Sequence, residues 1–275
     1  MVIYPPAKIN IGLAIIEKRQ DGFHNIETVF YPISLCDKLI VETIETKTNQ
    51  KLVFSCDGNE LLHNRPYENL CCKAYQMLDA DFRLPPTNIR LHKVIPVGAG
   101  LGGGSSDAAH TLLALNDLFQ LRISNERLTQ FARQLGSDCT FFLQNAPVFA
   151  TNKGDVLEPV NLSLSGYYII LIKPPMFVST AIAYSLVTPK KTRFHLPETL
   201  QNPVSEWRHT VINDFEEPVF SKFPEIGQIK EKLYSEGAVY ASMSGSGSCV
   251  YGIFNECPTN ITDLFRDCFI WKQKL

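Results

Sequence analysis

The chain has 275 residues, of which 45% are hydrophobic and 20% are charged, and its formal net charge is -2 at pH 7. This ordinary globular composition allows one large domain or two, and a nearly neutral chain without blocks of like charge argues against nucleic acid as the main partner. The eight cysteines form no C-x-x-C pair, no apolar run suits a membrane helix and no signal-peptide pattern is present, which predicts a cytoplasmic protein without a membrane partner.

The first part of the chain is typical of β-strands. Ile9, Ile11, Leu13 and Ile15 alternate with smaller or polar residues, and further strands are predicted near residues 39–44 and 52–54. Asp21-Gly22 between apolar stretches indicates a turn.

Helical periodicity begins in the middle of the chain. The spacing of apolar residues predicts a helix over 68–82, a strand over 89–94 and an apolar helix from Ser105. A further helix is predicted to begin at Ser124, whose hydroxyl can cap exposed amides, and to end at Gly136.

The last part of the chain mixes both element types. We predict strands over 167–172 and 249–254, a surface connection over 188–203, and helices near 215–220 and 226–236. Strands and helices do not alternate strictly, which favours an α+β protein of two domains, residues 1–155 and residues 156–275.

The strongest local signal is a glycine-rich segment between a predicted strand and a predicted helix. Five of the seven residues 98–104 are glycine, so the backbone can bend tightly and approach a ligand closely. The amides of such a loop and the positive end of the next helix converge on one point, which favours phosphate binding. The residues predicted to bind the phosphates of a cofactor are Pro96, Val97, Gly98, Ala99, Gly100, Leu101, Gly102, Gly103, Gly104, Ser105 and Ser106.

Two familiar phosphate-binding motifs do not fit this segment. No lysine follows the glycines, as a Walker loop requires, and no acidic ribose partner follows about 20 residues later, as a dinucleotide fingerprint requires. The plain alternative is a flexible loop that only turns the chain.

Three segments, in order along the chain, resemble motifs of the GHMP kinase superfamily. Residues 6–13 resemble its amino-terminal motif, residues 96–109 its second motif and residues 242–250 its carboxyl-terminal glycine-rich motif. The resemblance implies a two-domain GHMP kinase-like fold with the active site in the interdomain cleft.

Two shorter segments narrow this resemblance. Asp21-Gly22-Phe23-His24 and residues 136–142 resemble the 4-diphosphocytidyl-2-C-methyl-D-erythritol kinase family of non-mevalonate isoprenoid precursor biosynthesis. Phe23 stands where tyrosine is common, and residues 139–140 are Cys-Thr in place of Val-Pro. The resemblance implies ATP-dependent phosphorylation of the substrate's 2-hydroxyl by a monomer or weak homodimer. Because no carboxylate cage is evident, Mg²⁺ is expected to arrive mostly with ATP.

The resemblance also implies the catalytic residues. Asp138 matches the family's catalytic aspartate and would orient the acceptor hydroxyl or take its proton, while Lys8 matches the catalytic lysine and would lower the barrier to alkoxide formation. Whether Asp138 is a true base or an electrostatic positioner stays open. Taken singly, a helix-capping aspartate and a surface lysine are the alternatives.

Cytosine recognition is expected from aromatic and polar side chains. Phe23 would stack on the base, His24 would bond its polar edge and Tyr184 would cover the opposite face, although a rim aromatic is an equal reading of Tyr184. The predicted substrate-binding residues are Asn10, Phe23, His24, Tyr184, Gly245, Ser246 and Gly247.

Two other functions compete with this interpretation. One is another superfamily activity, such as a homoserine or mevalonate-pathway kinase, which the Asp21–His24 segment disfavours. The other is a nucleotide-binding sensor without chemistry, which the presence of both Lys8 and Asp138 disfavours.

Overall fold

The computed structural model describes residues 1–45, 51–58, 68–190 and 195–275. The chain divides into two compact units that interleave in sequence. The first unit comprises Met1–Ala7, Ile33–Val97 and Gly102–Asn145, and the second comprises Lys8–Pro32, Gly98–Leu101 and Ala146–Leu275. The domain boundary predicted near residue 155 stays a prediction.

The described residues form the following elements in chain order. The strands are β1 (Val2–Ile3), β2 (Pro6–Lys18), β3 (His24–Cys36), β4 (Lys38–Thr43), β5 (Leu52–Asp57), β6 (Thr87–His92), β7 (Val148–Thr151), β8 (Val156–Pro159), β9 (Tyr168–Lys173), β10 (Tyr240–Met243), β11 (Val250–Phe254) and β12 (Phe269–Lys274). The helices are α1 (Leu70–Phe82), α2 (Gly103–Leu118), α3 (Asn125–Leu135), α4 (Phe141–Gln144), α5 (Thr180–Leu186), α6 (Leu196–Thr199), α7 (Glu216–Lys222), α8 (Pro224–Ser235) and α9 (Ile261–Leu264), with 3₁₀ helices at Ser137–Thr140 and Val204–His209.

The first unit packs α1, α2 and α3 with a four-stranded sheet of order β1-β4-β6-β5, in which only the β5–β6 pairing is parallel. Its core joins apolar side chains of the helices and of the sheet, such as Leu78, Leu112, Phe131 and Ile89. Each fully buried side chain of this size contributes about 1.5–3 kcal/mol, so the amphipathic pattern of the sequence determines which faces meet.

Local sequence signals account for the helix ends of the first unit. The side chain of Asn69 accepts the Cys71 amide at the start of α1, and Ser124 accepts the Arg127 amide at the start of α3. α3 ends at Gly136. The three helices predicted in the middle of the chain are confirmed.

The second unit holds sheet β10-β11-β9-β12 and most of sheet β2-β3-β7-β8. Residues 169–172 of β9 are fully buried, since this strand pairs with β11 on one side and β12 on the other. α7 and α8 occupy the positions predicted for the two late helices, and β9 and β11 those of the two late strands, so these predictions are confirmed.

The prediction of a surface connection over residues 188–203 is wrong in part. α6 forms there, and Leu196 and Leu200 are buried. A Cβ added to Gly12 would lie 2.8 Å from a Leu196 methyl carbon, so the leucine covers a strand glycine. A four-residue helix is too short to show periodicity, which is why the pattern failed. Residues 191–194 lie outside the described part.

In the parts of the chain that the structure describes, no helix has the length and apolar character needed to cross a bilayer.

Candidate active site

The glycine-rich segment uses backbone conformations that glycine adopts most readily. The φ angles of Gly98, Gly100 and Gly102 are 62°, 76° and 72°, all in the left-handed region. A Cβ added to Gly100 would lie 1.9 Å from the Ser244 carbonyl oxygen, which no side chain can tolerate. Glycine is therefore required at Gly100 by both angle and space.

The second-unit part of this segment contacts the other two motifs. The Lys8 amide donates to the Leu101 carbonyl at 3.0 Å, and the Ser244 hydroxyl donates to the Gly100 carbonyl at 2.8 Å. The Ser244–Gly100 bond joins residues 144 positions apart, so distant segments of the chain meet around residues 98–101.

Asn10 holds the Lys8 side chain inside this cluster. Lys8 Nζ donates to Asn10 Oδ1 at 2.5 Å, and Asn10 Nδ2 donates to the Thr28 hydroxyl at 3.0 Å. The Asn10 amide donates to Ser244 Oγ at 3.1 Å, and Lys8 Nζ lies 4.7 Å from the centre of the Phe30 ring. Through its bond to Lys8 Nζ, Asn10 helps to orient the Lys8 ammonium. Its predicted substrate contact stays a prediction.

The first-unit part of the segment begins α2, a helix of 16 residues. Gly102 precedes it without a side-chain capping bond, and its first turn holds no acidic residue. A Cβ added to Gly104 would have no atom within 4 Å, so the space beside the first turn is open. Exposed amides and the positive helix end suit a phosphate group.

A buried ion cluster lies directly against this helix start. The Lys93 ammonium binds Asp37 and, at 2.7 Å, Asp107 Oδ2, and all three side chains are almost wholly buried. A Cβ added to Gly103 would lie 3.2 Å from Lys93 Nζ, so the cluster supports the first turn of α2. Sequence analysis missed this cluster because bonded members such as Lys93 and Asp37 are 56 positions apart and form no local pattern.

Burial and mutual attraction shift the pKa values of Asp107 and Lys93 in this cluster. Burial, and secondarily the nearby Asp37, raise the pKa of Asp107 to about 7 against the attraction of Lys93. Burial lowers the pKa of Lys93, but the two carboxylates outweigh burial and hold that pKa above its usual value. Asp107 Oδ1 is buried and has no hydrogen-bond partner among the described residues.

Asp138 lies in the 3₁₀ helix that follows Gly136. A Cβ added to Gly136 would lie 3.9 Å from Ser105 Oγ, so the segment that carries Asp138 runs beside the start of α2. The neighbouring Cys139 is buried, which raises the pKa of its thiol to about 12 and leaves it unreactive. Asp138 belongs to the first unit and Lys8 to the second, and their pairing stays a prediction.

The structure brings His24 and Tyr184 together. His24 begins β3, and its ring stacks on Tyr184 with centroids 4.6 Å apart and an interplanar angle of 23°. Tyr184 in turn meets the edge of Phe215 at 4.9 Å. Partial burial, and secondarily Lys18, lower the pKa of His24, which favours a neutral ring that both donates and accepts hydrogen bonds.

Phe23 presents its ring to solvent beside a cation. The residue is 54% exposed, and Lys153 Nζ lies 4.9 Å from its ring centre. An exposed aromatic face of this kind is suited to stacking on a flat base.

The turn at residues 245–247 is fixed by an asparagine that sequence analysis missed. Asn213 Nδ2 donates to the carbonyls of Met243 and Gly245, each at 2.8 Å. The Gly247 amide donates to the Ser244 carbonyl at 3.0 Å and is thus engaged within the turn. The Ser246 hydroxyl lies 3.3 Å from that of Thr180. The predicted ligand contacts of this turn stay predictions.

Within the described ranges, no group of three or more His, Cys, Asp or Glu side chains is arranged to hold a metal ion. Mg²⁺ commonly takes one or two carboxylates together with substrate phosphates and water. The Ser105 hydroxyl and the Asp138 carboxylate, carried by neighbouring segments, are oxygen donors of the kind that Mg²⁺ binds.

This chain is similar to known proteins over nearly its whole length. Residues 69–147 match the GHMP kinases N terminal domain, and residues 198–258 match the GHMP kinases C terminal domain. A 4-diphosphocytidyl-2-C-methyl-D-erythritol kinase of Bacteroides thetaiotaomicron is 49% identical over 276 residues, covering 100% of both chains. One of Bacteroides fragilis is 51% identical over 255 residues, covering 93% of this chain and 92% of that one.

Solved structures agree with these relatives. A crystal structure of 4-(cytidine 5'-diphospho)-2C-methyl-D-erythritol kinase superposes with a TM-score of 0.82 at 32% identity, covering 99% of this chain and 98% of that chain. The mevalonate kinase of Methanococcus jannaschii superposes with a TM-score of 0.73 at 13% identity, covering 99% and 97%, which shows the shared fold.

Fold and sequence together define the chain as a GHMP kinase. Within that superfamily it belongs to the 4-diphosphocytidyl-2-C-methyl-D-erythritol kinase family. The predicted fold class, family and enzyme class are confirmed. Membership of this family implies that the chain uses ATP and acts on a small molecule.

Proposed function

We propose that this chain transfers the γ-phosphoryl group of ATP to the 2-hydroxyl of 4-diphosphocytidyl-2-C-methyl-D-erythritol, a step of non-mevalonate isoprenoid precursor biosynthesis. The two Bacteroides relatives of that name match it over 92% or more of their length. The observation that carries the proposal is the meeting of three motifs around residues 98–101, where Lys8 and Ser244 bond the glycine-rich backbone directly.

Phosphoryl transfer depends on positioning and on charge stabilisation rather than on covalent chemistry by the protein. In our proposal the glycine-rich backbone and the first turn of α2 bind the phosphates of ATP, with Ser105 and Ser106 adding hydroxyl contacts. Mg²⁺, held mainly by ATP, would neutralise part of the phosphate charge. The open space at Gly104 and the uncapped helix start support this role.

Lys8 and Asp138 would act on the acceptor. Lys8, oriented by Asn10, stabilises negative charge on the acceptor oxygen and on the migrating group. Asp138 orients the hydroxyl and receives its proton as the new O–P bond forms and the bond to the leaving ADP breaks. The product is a phosphate ester, and the proton passes from Asp138 to solvent.

The cytidyl group would bind beside the turn between β2 and β3, which ends at His24. Phe23 offers an exposed face for stacking, and His24 offers ring nitrogens to the polar edge of cytosine. Tyr184, already stacked on His24, would close the other side of the base. Gly245, Ser246 and Gly247 would contribute main-chain contacts to the substrate.

The setting of the enzyme follows from its bulk properties. We place it in the cytoplasm as a monomer or weak homodimer without a nucleic-acid partner. The eight free cysteines fit a reducing compartment, and the net charge of -2 disfavours binding to nucleic acid.

The direct test of the chemistry is Asp138→Asn. We expect kcat for the cytidyl substrate to fall by about 10²–10⁴-fold, the usual contribution of a proton-transferring group, while ATP affinity stays within about threefold. Asp81→Asn is the matched control, since Asp81 forms an exposed ion pair with Arg127. ADP release is measured with the cytidyl substrate, homoserine and mevalonate in parallel. Near-normal turnover by Asp138→Asn would refute the role of Asp138, and turnover of homoserine or mevalonate alone would refute the substrate.

A further inference from the structure

The turn between β2 and β3 holds Phe23 and His24 by a compact set of hydrogen bonds. The Arg19 amide donates to the Phe23 carbonyl at 2.8 Å, and the Phe23 amide donates to Asp21 Oδ1 at 3.1 Å. Gly22 adopts a φ of 84° at the tip, where glycine is favoured. The backbone of the turn thus fixes where the Phe23 and His24 side chains begin.

One guanidinium group ties this turn together from outside. Arg19 Nε donates to both carboxylate oxygens of Asp21 at 3.1 Å, and Arg19 Nη1 donates to Asn25 Oδ1 at 3.0 Å. Asp21 precedes and Asn25 follows the pair Phe23–His24, so Arg19 bonds the chain on both sides of it. The planar guanidinium carries its donors on separate nitrogens in a fixed fork, a geometry that the single ammonium nitrogen of lysine does not reproduce.

The same group reaches a second turn. Arg19 Nη1 also donates to Asn152 Oδ1, in the β7–β8 turn, and Asn152 Nδ2 donates to Asp155 Oδ1 at 2.8 Å. The Asn152 carbonyl accepts the Ile26 amide at 2.8 Å, which ties this turn to β3. Lys153, the next residue, lies over the Phe23 ring.

We propose that Arg19 is the positioning residue for the Phe23–His24 pair and, together with Asn152, sets the affinity of the enzyme for the cytidyl group. This inference rests on the proposed function, because it takes the pair to be the cytosine reader. Arg19 itself stands outside the reacting groups and acts through the two turns that it joins. Loss of the Arg19 side chain should therefore weaken binding of the cytidyl substrate and leave binding of ATP unchanged.

The test compares Arg19→Lys with the wild type in steady-state kinetics. We expect the KM for the cytidyl substrate to rise about tenfold or more, since small misplacements of binding groups have effects of this size, while the KM for ATP changes less than about twofold. His24→Ala serves as the positive control. Arg266→Lys serves as the matched negative control, because Arg266 pairs with Asp263 at the surface.

Asn152→Gly provides a second variant if Arg19→Lys folds poorly. Asn152 has a φ of 59°, which glycine adopts without strain, so this change removes the side-chain bonds and keeps the turn. It should raise the same KM in the same direction.

Three outcomes decide the matter. A selective rise in the KM for the cytidyl substrate in a variant that melts within about 2 °C of the wild type supports the proposal. An unchanged KM for the cytidyl substrate, or equal rises for both substrates, overturns the role of Arg19 while the function stands. A wild type without turnover of the cytidyl substrate overturns the proposed function, and the role of Arg19 with it.

Discussion

The amino ends of α2 and α3, both in the first unit, are built in opposite ways. At α3 the Ser124 side chain accepts the Arg127 amide, and the acidic Glu126 occupies the first turn. At α2 the preceding residue is Gly102, which makes no side-chain capping bond, and the first turn holds no acidic residue. The protein supplies its own acceptor and negative charge at α3. At α2 it supplies neither, which is the arrangement an anionic ligand requires.

The largest effect, on ATP affinity, is expected from placing an acidic residue in the first turn of α2, as α3 already has. Gly104→Asp places a carboxylate in the first turn, where an added side chain meets open space. The new charge repels phosphate and competes for the same amides, so ATP affinity should fall by about 100-fold or more, while thermal stability is kept. Isothermal titration with ATP and a thermal melt measure the two quantities.

Gly104→Ala is the control for this change. It fills the same space without charge and should keep ATP affinity within about threefold, with a small gain in stability from the better helix former. Equal losses of affinity in the two variants would mean that space, rather than charge, decides binding, and the contrast between the two helix ends would lose its functional meaning.

A second effect, on the pH dependence of stability, concerns the buried pair of Asp107 and Lys93 that supports the first turn of α2. Asp107 has a pKa of about 7 in the folded protein, above the ordinary 3.8, because it is buried. Between about pH 4 and pH 7 the folded state binds more protons than the unfolded state, so the free energy of unfolding should fall as the pH rises through this window and then level off. Asp107→Asn should flatten this decline by an amount on the order of a few kcal/mol.

Urea denaturation of the wild type and Asp107→Asn at several pH values from 4 to 8 measures this difference. Parallel pH profiles for the two proteins would show that Asp107 does not take up the proton, and that the ion cluster does not make the anchoring of α2 depend on pH.

The smallest effect is expected at α3. Ser124→Ala removes a capping bond that is already long, at 3.4 Å, so the free energy of unfolding should fall by only about 0.5–1 kcal/mol. The KM for ATP should stay within about twofold, because this helix end binds no ligand in our account. A clear rise in that KM would contradict the division of roles between the two helices.

Local patterns of the sequence predicted much of the fold and of the glycine-rich site. Ser124 and Gly136 mark the ends of α3, and the glycines between β6 and α2 mark a phosphate-binding loop, because each signal lies within a few residues of the structure that it specifies. Glycine at residues 98 and 100 permits the left-handed φ angles that the backbone adopts there.

Contacts between distant residues could not be predicted in this way. Arg19 and Asn152 are 133 positions apart, and Lys93 and Asp37 are 56 apart, so neither pairing leaves a periodic or motif-like trace. Leu196 of α6 is buried against Gly12 of β2, but the pattern around Leu196 indicated only a surface connection. Tertiary packing determines such features, and it leaves no local pattern in a single sequence.

The most direct test of the whole account is mass-spectrometric identification of the product formed by the purified protein with ATP, Mg²⁺ and 4-diphosphocytidyl-2-C-methyl-D-erythritol. We predict a singly phosphorylated substrate, with fragmentation that places the new phosphate on the 2-hydroxyl, formed in step with ADP. A protein that binds ATP but leaves this alcohol unmodified, or that phosphorylates it at another hydroxyl, would contradict the account.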